Sequence, residues 1–235
     1  MLRLLYQPID AIDLPLAVAS YAVRGQQAGA LNILISVEVG SGTAVRGPVR
    51  WGATILAGDK LVASTRATID SQQEERSTDT AIVTVPPGQY ALHVAAMDGT
   101  GRGSAFQVPL EAGLHVIGSL AGSDLMVGSA KAAKLHPLAR IKASEGLAAA
   151  AELYARTPEN LETANVRIEL IPEADTRPIA SGPMATTDDA SGTTLALHGV
   201  LDTSELPSGR YVAHAVIWVD GAPAGRISRA VEIVR

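Results

Sequence analysis

Cysteine is absent from this chain. That excludes disulfide staples, thiolate nucleophiles, and zinc or iron–sulfur centres held by sulfur. The compartment stays open, because a secreted domain with a large enough core needs no disulfide. Aromatics are scarce: two Trp, five Tyr and one Phe make 3% of the chain. The core must be aliphatic, and little is left for a sugar-stacking face of several exposed rings. Charge is sparse too, at 18% of residues with a net of −5 and no clustered Lys/Arg run. This lacks the electrostatic footprint of a nucleic-acid binder and the polybasic segment that anionic lipid attracts. No run approaches the ~18 apolar residues of a helical membrane span. The first ten residues are broken by Gln7, Pro8 and Asp10, short of the apolar core of about 7–15 residues in a secretory signal. A soluble chain with no export signal and no membrane span is expected.

What is present is aliphatic alternation. Hydrophobic residues make up 47% of 235 positions, enough for one large β domain or two of ordinary size. In residues 31–39 every odd position is aliphatic, while Asn32, Ser36 and Glu38 stand between them. Period-two patterning of this kind predicts half-buried strands. It recurs at 14–23, 49–57, 61–69, 81–85, 89–97 and 105–110, with a polar loop at 71–79 and a glycine-rich tip at 98–103. Residues 113–135 are less regular, and the domain boundary is placed there, giving domains 1–125 and 126–235. Alternation resumes at 138–143, 147–155, 166–171, 193–201, 211–219 and 227–234. Residues 144–156 are ambiguous: their alanines favour helix, their neighbours favour strand, and strand is preferred.

The chain repeats itself. Val85-Pro86-Pro87-Gly88-Gln89-Tyr90 matches Leu206-Pro207-Ser208-Gly209-Arg210-Tyr211 at an offset of 121 residues, and each copy later reaches an Asp-Gly pair. An offset near 120 is one sandwich domain per repeat. In Ig-like sandwiches a tyrosine at the start of a late strand packs its ring inward and bonds its hydroxyl to backbone at the corner. Tyr90 and Tyr211, after Pro86/Gly88 and Pro207/Gly209, are assigned that structural role and expected to be largely buried. The predicted fold is all-β: two tandem Ig-like/fibronectin III-like antiparallel β-sandwich domains. His93 and His214 fall at equivalent positions on the opposite strand face.

These stretches, with Leu14-Pro-Leu-Ala-Val-Ala-Ser-Tyr21, Asp98-Gly-Thr-Gly-Arg-Gly103, Glu152-Leu-Tyr154 and Val166-Arg-Ile-Glu-Leu170, also carry a family resemblance. The chain resembles the C-terminal part of the von Willebrand factor A-related proteins abundant in Acidobacteria. The resemblance implies a β-sandwich tail of an exported or cell-envelope parent. The A domain with its Asp-x-Ser-x-Ser metal motif is absent, so no metal residue carries over.

Chemistry-bearing patterns are weak. Gly40-Ser-Gly42 and Gly99-Thr-Gly101 suggest phosphate loops, but position 45 is Val45 where a third glycine belongs, and no helix pattern follows. The five histidines never fall at metal-ligating spacing. Asp188-Asp189 and Glu74-Glu75 lack the alternating spacing of a calcium loop. No nucleophile has an evident base. Trp51 and Trp218 remain as possible ligand contacts. The sequence therefore predicts no catalytic, cofactor-binding or metal residues. It predicts a non-catalytic structural or protein-interaction module with an unidentified protein partner. A carbohydrate-binding accessory module is the alternative, and a hydrolase a further one.

Overall fold

The structure is a computed structural model that describes residues 13–40, 45–70, 77–132, 135–137 and 140–235. The N-terminal reading, Glu74-Glu75, most of the Gly40-Ser-Gly42 tip and the first residues of the strand expected at 138–143 lie outside those residues. The chain divides into Met1–Gly113 and Leu114–Arg235.

Among its described residues the first domain holds seven strands: β1 (Leu16–Arg24), β2 (Leu31–Val39), β3 (Val49–Ala57), β4 (Lys60–Ile69), β5 (Ser77–Val85), β6 (Gly88–Met97) and β7 (Gly103–Ala112). They form two antiparallel sheets, β1-β2-β5 and β4-β3-β6-β7. The alternation in the sequence becomes the core. Ile33, Ile35, Val37 and Val39 on β2, Val49, Trp51 and Ile55 on β3, and Leu92 and Val94 on β6 are all buried. Each such burial is worth about 1.5–3 kcal/mol, and successive side chains along a strand reach it because they alternate between faces. β5 begins earlier than expected. Ser77, Thr78 and Asp79, assigned to a loop by their polarity, pair with Val39, Glu38 and Val37.

The second domain comprises β8 (His115–Ile117), β9 (Leu120–Gly122), β10 (Met126–Ser129), β11 (Arg140–Lys142), β12 (Leu147–Tyr154), β13 (Asn165–Pro172), β14 (Ala180–Pro183), β15 (Ala185–Asp188), β16 (Thr194–Leu201), β17 (Gly209–Val219) and β18 (Ala222–Val234). Its sheets run β15-β16-β12-β9-β8, with β10 also on β12, and β11-β18-β17-β13-β14. The shared part of this order repeats the first domain. The set β9/β10-β12-β16 stands for β1-β2-β5, and β14-β13-β17-β18 for β4-β3-β6-β7. The boundary lies twelve residues before the one drawn from composition. Residues 114–125 belong with the second domain because β9 pairs with β12, and Ile117 and Leu120 enter its core. The ambiguous alanine segment is strand β12. Ladders to β16 on one side and to β9 and β10 on the other outweigh alanine's helix preference, which is only fractions of a kcal/mol per residue.

One strand separates the two domains. β4 stays on β3 for its whole length. Its counterpart changes sheets: β14 pairs with β13, the chain passes buried Met184, and β15 then pairs with β16. The outer edge of β16 is thus covered, whereas among the described residues β5 pairs only with β2.

The tyrosines begin equivalent strands, β6 and β17. The Tyr90 hydroxyl donates to the Pro86 carbonyl at 2.9 Å, and that of Tyr211 to the Pro207 carbonyl at 2.7 Å. A Cβ at Gly88 would sit 3.1 Å from the Tyr90 hydroxyl oxygen, so a larger residue there needs the ring to shift by a few tenths of an ångström. Burial differs from expectation at one of the two. Tyr211 is 3% exposed, but Tyr90 is only half-buried. A hollow of about 370 Å³ lined by Leu56, Gly58, Gln89, Gln107 and Pro109 opens beside the Tyr90 ring; the hollow at Tyr211 is smaller, about 220 Å³.

Tyr211→Phe should cost about 1 kcal/mol for the lost corner bond, and Tyr211→Ala about 3–5 kcal/mol. Tyr90→Ala should cost less, roughly 1–3 kcal/mol, because less of its ring leaves water on folding. Denaturant unfolding of the single and double variants measures this, and the two costs should add.

Candidate functional site

Trp51 does not offer a ligand platform. It is fully buried on β3, and its indole N–H donates to Asp79 Oδ2 at 2.7 Å. Asp79 belongs to the opposite sheet, and its other oxygen accepts the Thr80 amide at 2.8 Å. The bond therefore ties sheet to sheet. In antibody domains a tryptophan at this third strand packs against a disulfide; here, without cysteine, a carboxylate takes its N–H. Trp218 is half-buried, beside a β-bulge near the end of β17, opposite Asn165 and Pro223.

The glycine-rich tip after β6 closes on itself. Asp98 is buried, with Oδ1 accepting from the Thr100 amide and hydroxyl and the Arg102 amide. Its Oδ2 accepts from Arg102 Nε at 2.9 Å and Nη2 at 2.6 Å. Burial pushes the carboxyl up, but the hydrogen bonds from Thr100 and Arg102 outweigh it and hold its pKa at about 2. All of this is loop closure, the hairpin-tip reading rather than a phosphate cradle. Asp189 does the same in the second domain, accepting from the Ser191 hydroxyl and the Thr193 and Thr194 amides. Among the described residues no three acidic or histidine side chains gather as metal ligands.

The polar arrangement with most chemical capacity was not visible in the sequence. On the outer face of the sheet containing β17, His214 stands between Glu169 of β13 and Ser228 of β18. Its Nδ1 shares a hydrogen bond with Ser228 Oγ at 2.6 Å. His214 is 8% exposed, and Ser228 is exposed. Burial, then the Arg226 cation, depress the imidazole pKa; Glu169 opposes them. The imidazole is thus biased to the neutral form, and its tautomer sets which partner donates in the bond to Ser228. A serine–histidine contact is one part of a nucleophilic site; acyl transfer also needs donors aimed at a developing oxyanion. His93 holds the equivalent place in the first domain, equally buried, between Thr54 and Gln107. The repeat of a buried histidine where the flanking partners differ marks the position as architectural.

Strand order and tyrosine corners in both halves, with a buried tryptophan on the third strand of the first, define the class: a tandem pair of Ig-like β-sandwich domains, antiparallel but for the β11–β18 pairing. No family model matches the chain, and no curated protein matches it. Among solved structures it overlaps red sea bream transglutaminase at 10% identity and a TM-score of 0.30, covering 95% of this chain and 31% of that one. It also overlaps the ICAM-5 D1–D4 ectodomain fragment at 13% identity and a TM-score of 0.30, covering 93% of this chain and 53% of that one. The chain thus spans about a third and about half of those two proteins.

Two outcomes follow. Asp98→Asn should lower first-domain stability at neutral pH by about 1–2 kcal/mol, allowing for solvent screening at the tip. Because the folded pKa lies below the ordinary 3.8, the wild-type advantage is present above that value and fades as pH falls toward about 2. Unfolding across that acid range measures it. His214 should titrate below the histidines of the unfolded chain. The unfolded state then binds more protons, so second-domain stability should fall as pH drops through the ordinary histidine range. His214→Gln should flatten that dependence, and imidazole NMR should give the midpoint directly.

Proposed function

We propose that this chain is a non-catalytic structural or protein-interaction module of an exported or cell-envelope protein. The observation that carries the reading is how the polar side chains are used. Asp98 and Asp189 close turns, Asp79 joins two sheets, and Ser228 shares a bond with a largely buried histidine. Sheet faces and edges are what remains to meet a partner. The resemblance to the C-terminal part of von Willebrand factor A-related proteins supports the envelope setting. No helix among the described residues is long and apolar enough to cross a membrane. The carbohydrate-binding alternative loses one of its two supports with Trp51 buried.

The test combines a hydrolase panel of chromogenic esters and glycosides, a glycan array, and cross-linking mass spectrometry in native envelopes. The expected result is no turnover, no retained glycan, and cross-links from the sandwich surfaces to a small, reproducible set of proteins. Ester turnover abolished by Ser228→Ala overturns the reading in favour of a hydrolase. Glycan binding abolished by Trp218→Ala overturns it in favour of a carbohydrate module.

A further inference from the structure

The two tyrosine corners carry equivalent hollows, and their walls differ. In the second domain the hollow beside Tyr211 is bordered by Glu173, Arg210 and Glu232, and Glu232 accepts from Arg140 Nε at 2.9 Å. The repeat offset of 121 sets Gln89 where Arg210 stands and Pro109 where Ala230 stands. The hollow beside Tyr90 is larger, about 370 Å³, and no charged side chain lines it. The same corner thus forms with charged walls or with neutral ones, so the fold itself does not demand the neutral walls of the first.

Strand register builds the floor of the Tyr90 hollow. Leu56 of β3 stands opposite Ala91 of β6, and Ala91 opposite Pro109 of β7. Together they make an apolar row about 10 Å across, two strand spacings. Gln89 precedes Ala91 by two residues and Gln107 precedes Pro109 by two, both on the face of that row. Because β6 and β7 run antiparallel, the glutamines lie on opposite sides of the row, each about 7 Å from it. Both are exposed, and neither side-chain amide has a hydrogen-bond partner among the described residues. The Tyr90 ring also lines the hollow, but its hydroxyl is taken by the Pro86 carbonyl.

These walls select an occupant. A charged ligand would find no counter-charge in the lining. A sugar would find apolar side chains where its hydroxyls need partners. An open hollow makes few contacts, so its occupant must lose little freedom on binding. A polyproline II segment meets these conditions. It is already extended and ordered, its rings are apolar, and its backbone carbonyls have no internal partners. At about 3.1 Å per residue, roughly three residues cross the row.

We propose that the Tyr90 hollow binds a proline-rich segment of a partner protein in the polyproline II conformation. A proline ring lies on the Leu56–Ala91–Pro109 row, and carbonyls on either side accept from the Gln89 and Gln107 amides. The proposal rests on the reading of the chain as an interaction module.

NMR of the isotope-labelled full chain, titrated with the capped peptide acetyl-Ala-Pro-Pro-Ala-Pro-Pro-Ala-amide, tests it. The side-chain amides of Gln89 and Gln107 and the backbone amides of Tyr90 and Ala91 should shift saturably, while those around Tyr211 stay in place. Gln89→Ala and Gln107→Ala should each weaken binding about fivefold, the loss of one hydrogen bond. Ala91→Glu sets a charge on the floor and should abolish binding, its spectrum elsewhere unchanged where the fold is kept. The same peptide with alanine for every proline should not bind. No saturable shift up to the solubility of the peptide overturns the proposal, as do equal shifts around Tyr211 or binding that survives Ala91→Glu. A glycan retained by the wild type and lost in Gln107→Ala gives the hollow to a sugar and overturns it too. Cross-links in native envelopes that reach other surfaces but never this corner overturn the docking and leave the interaction-module reading standing. Ester turnover lost in Ser228→Ala overturns that reading instead, whatever the peptide does.

Discussion

With no disulfide available to join sheet to sheet, each domain depends on the register of one central strand. β2 and β12 lie between neighbours on both sides, and alternate residues along them are buried against the opposite sheet. Because side chains alternate with period two, a slip of one residue would turn Ile33, Ile35, Val37 and Val39 outward and place Leu34, Ser36 and Glu38 in the core. The energy at stake is several aliphatic burials at once. The Trp51–Asp79 bond adds a polar tie between sheets at the point where an antibody domain would use sulfur chemistry.

Around that frame, polar side chains settle the places where strands end. Asp98 organises the tip between β6 and β7, Asp189 the turn before β16, and Tyr90 and Tyr211 the corners before β6 and β17. These bonds are local, most joining residues two to five apart. Each removes the cost of an unpaired donor or acceptor that a sharp turn would otherwise leave. The repeat in the sequence is most evident at these corners because turn geometry constrains residue type more tightly than strand interiors do.

The two domains then differ at their fourth strand. Splitting it at Met184 lets the second domain cover β16 with β15, whereas the intact β4 leaves β5 with one ladder partner among the described residues.

Alternation, turn residues and the absence of cysteine determined the fold class, the seven strands of the first half, and the two tyrosine corners with their backbone partners. Those are local properties, and local rules read them. Strand β12 was legible only through its neighbours, since alanine alone favours helix. The short strands β8, β9, β14 and β15 were missed because three or four residues show no period. The boundary was displaced for the same reason. The pairing of Ser228 with His214 needed the tertiary structure outright. Counting back from the Asp220-Gly221 turn, the register Val219–Ala222 and Trp218–Pro223 would set Ile227 opposite His214. A bulge between Ile217 and Trp218 shifts the ladder by one residue and sets Ser228 there instead. A one-residue shift exchanges the two faces of a strand, and its position is fixed by how β17 and β18 twist and pack, which no pattern in the sequence records.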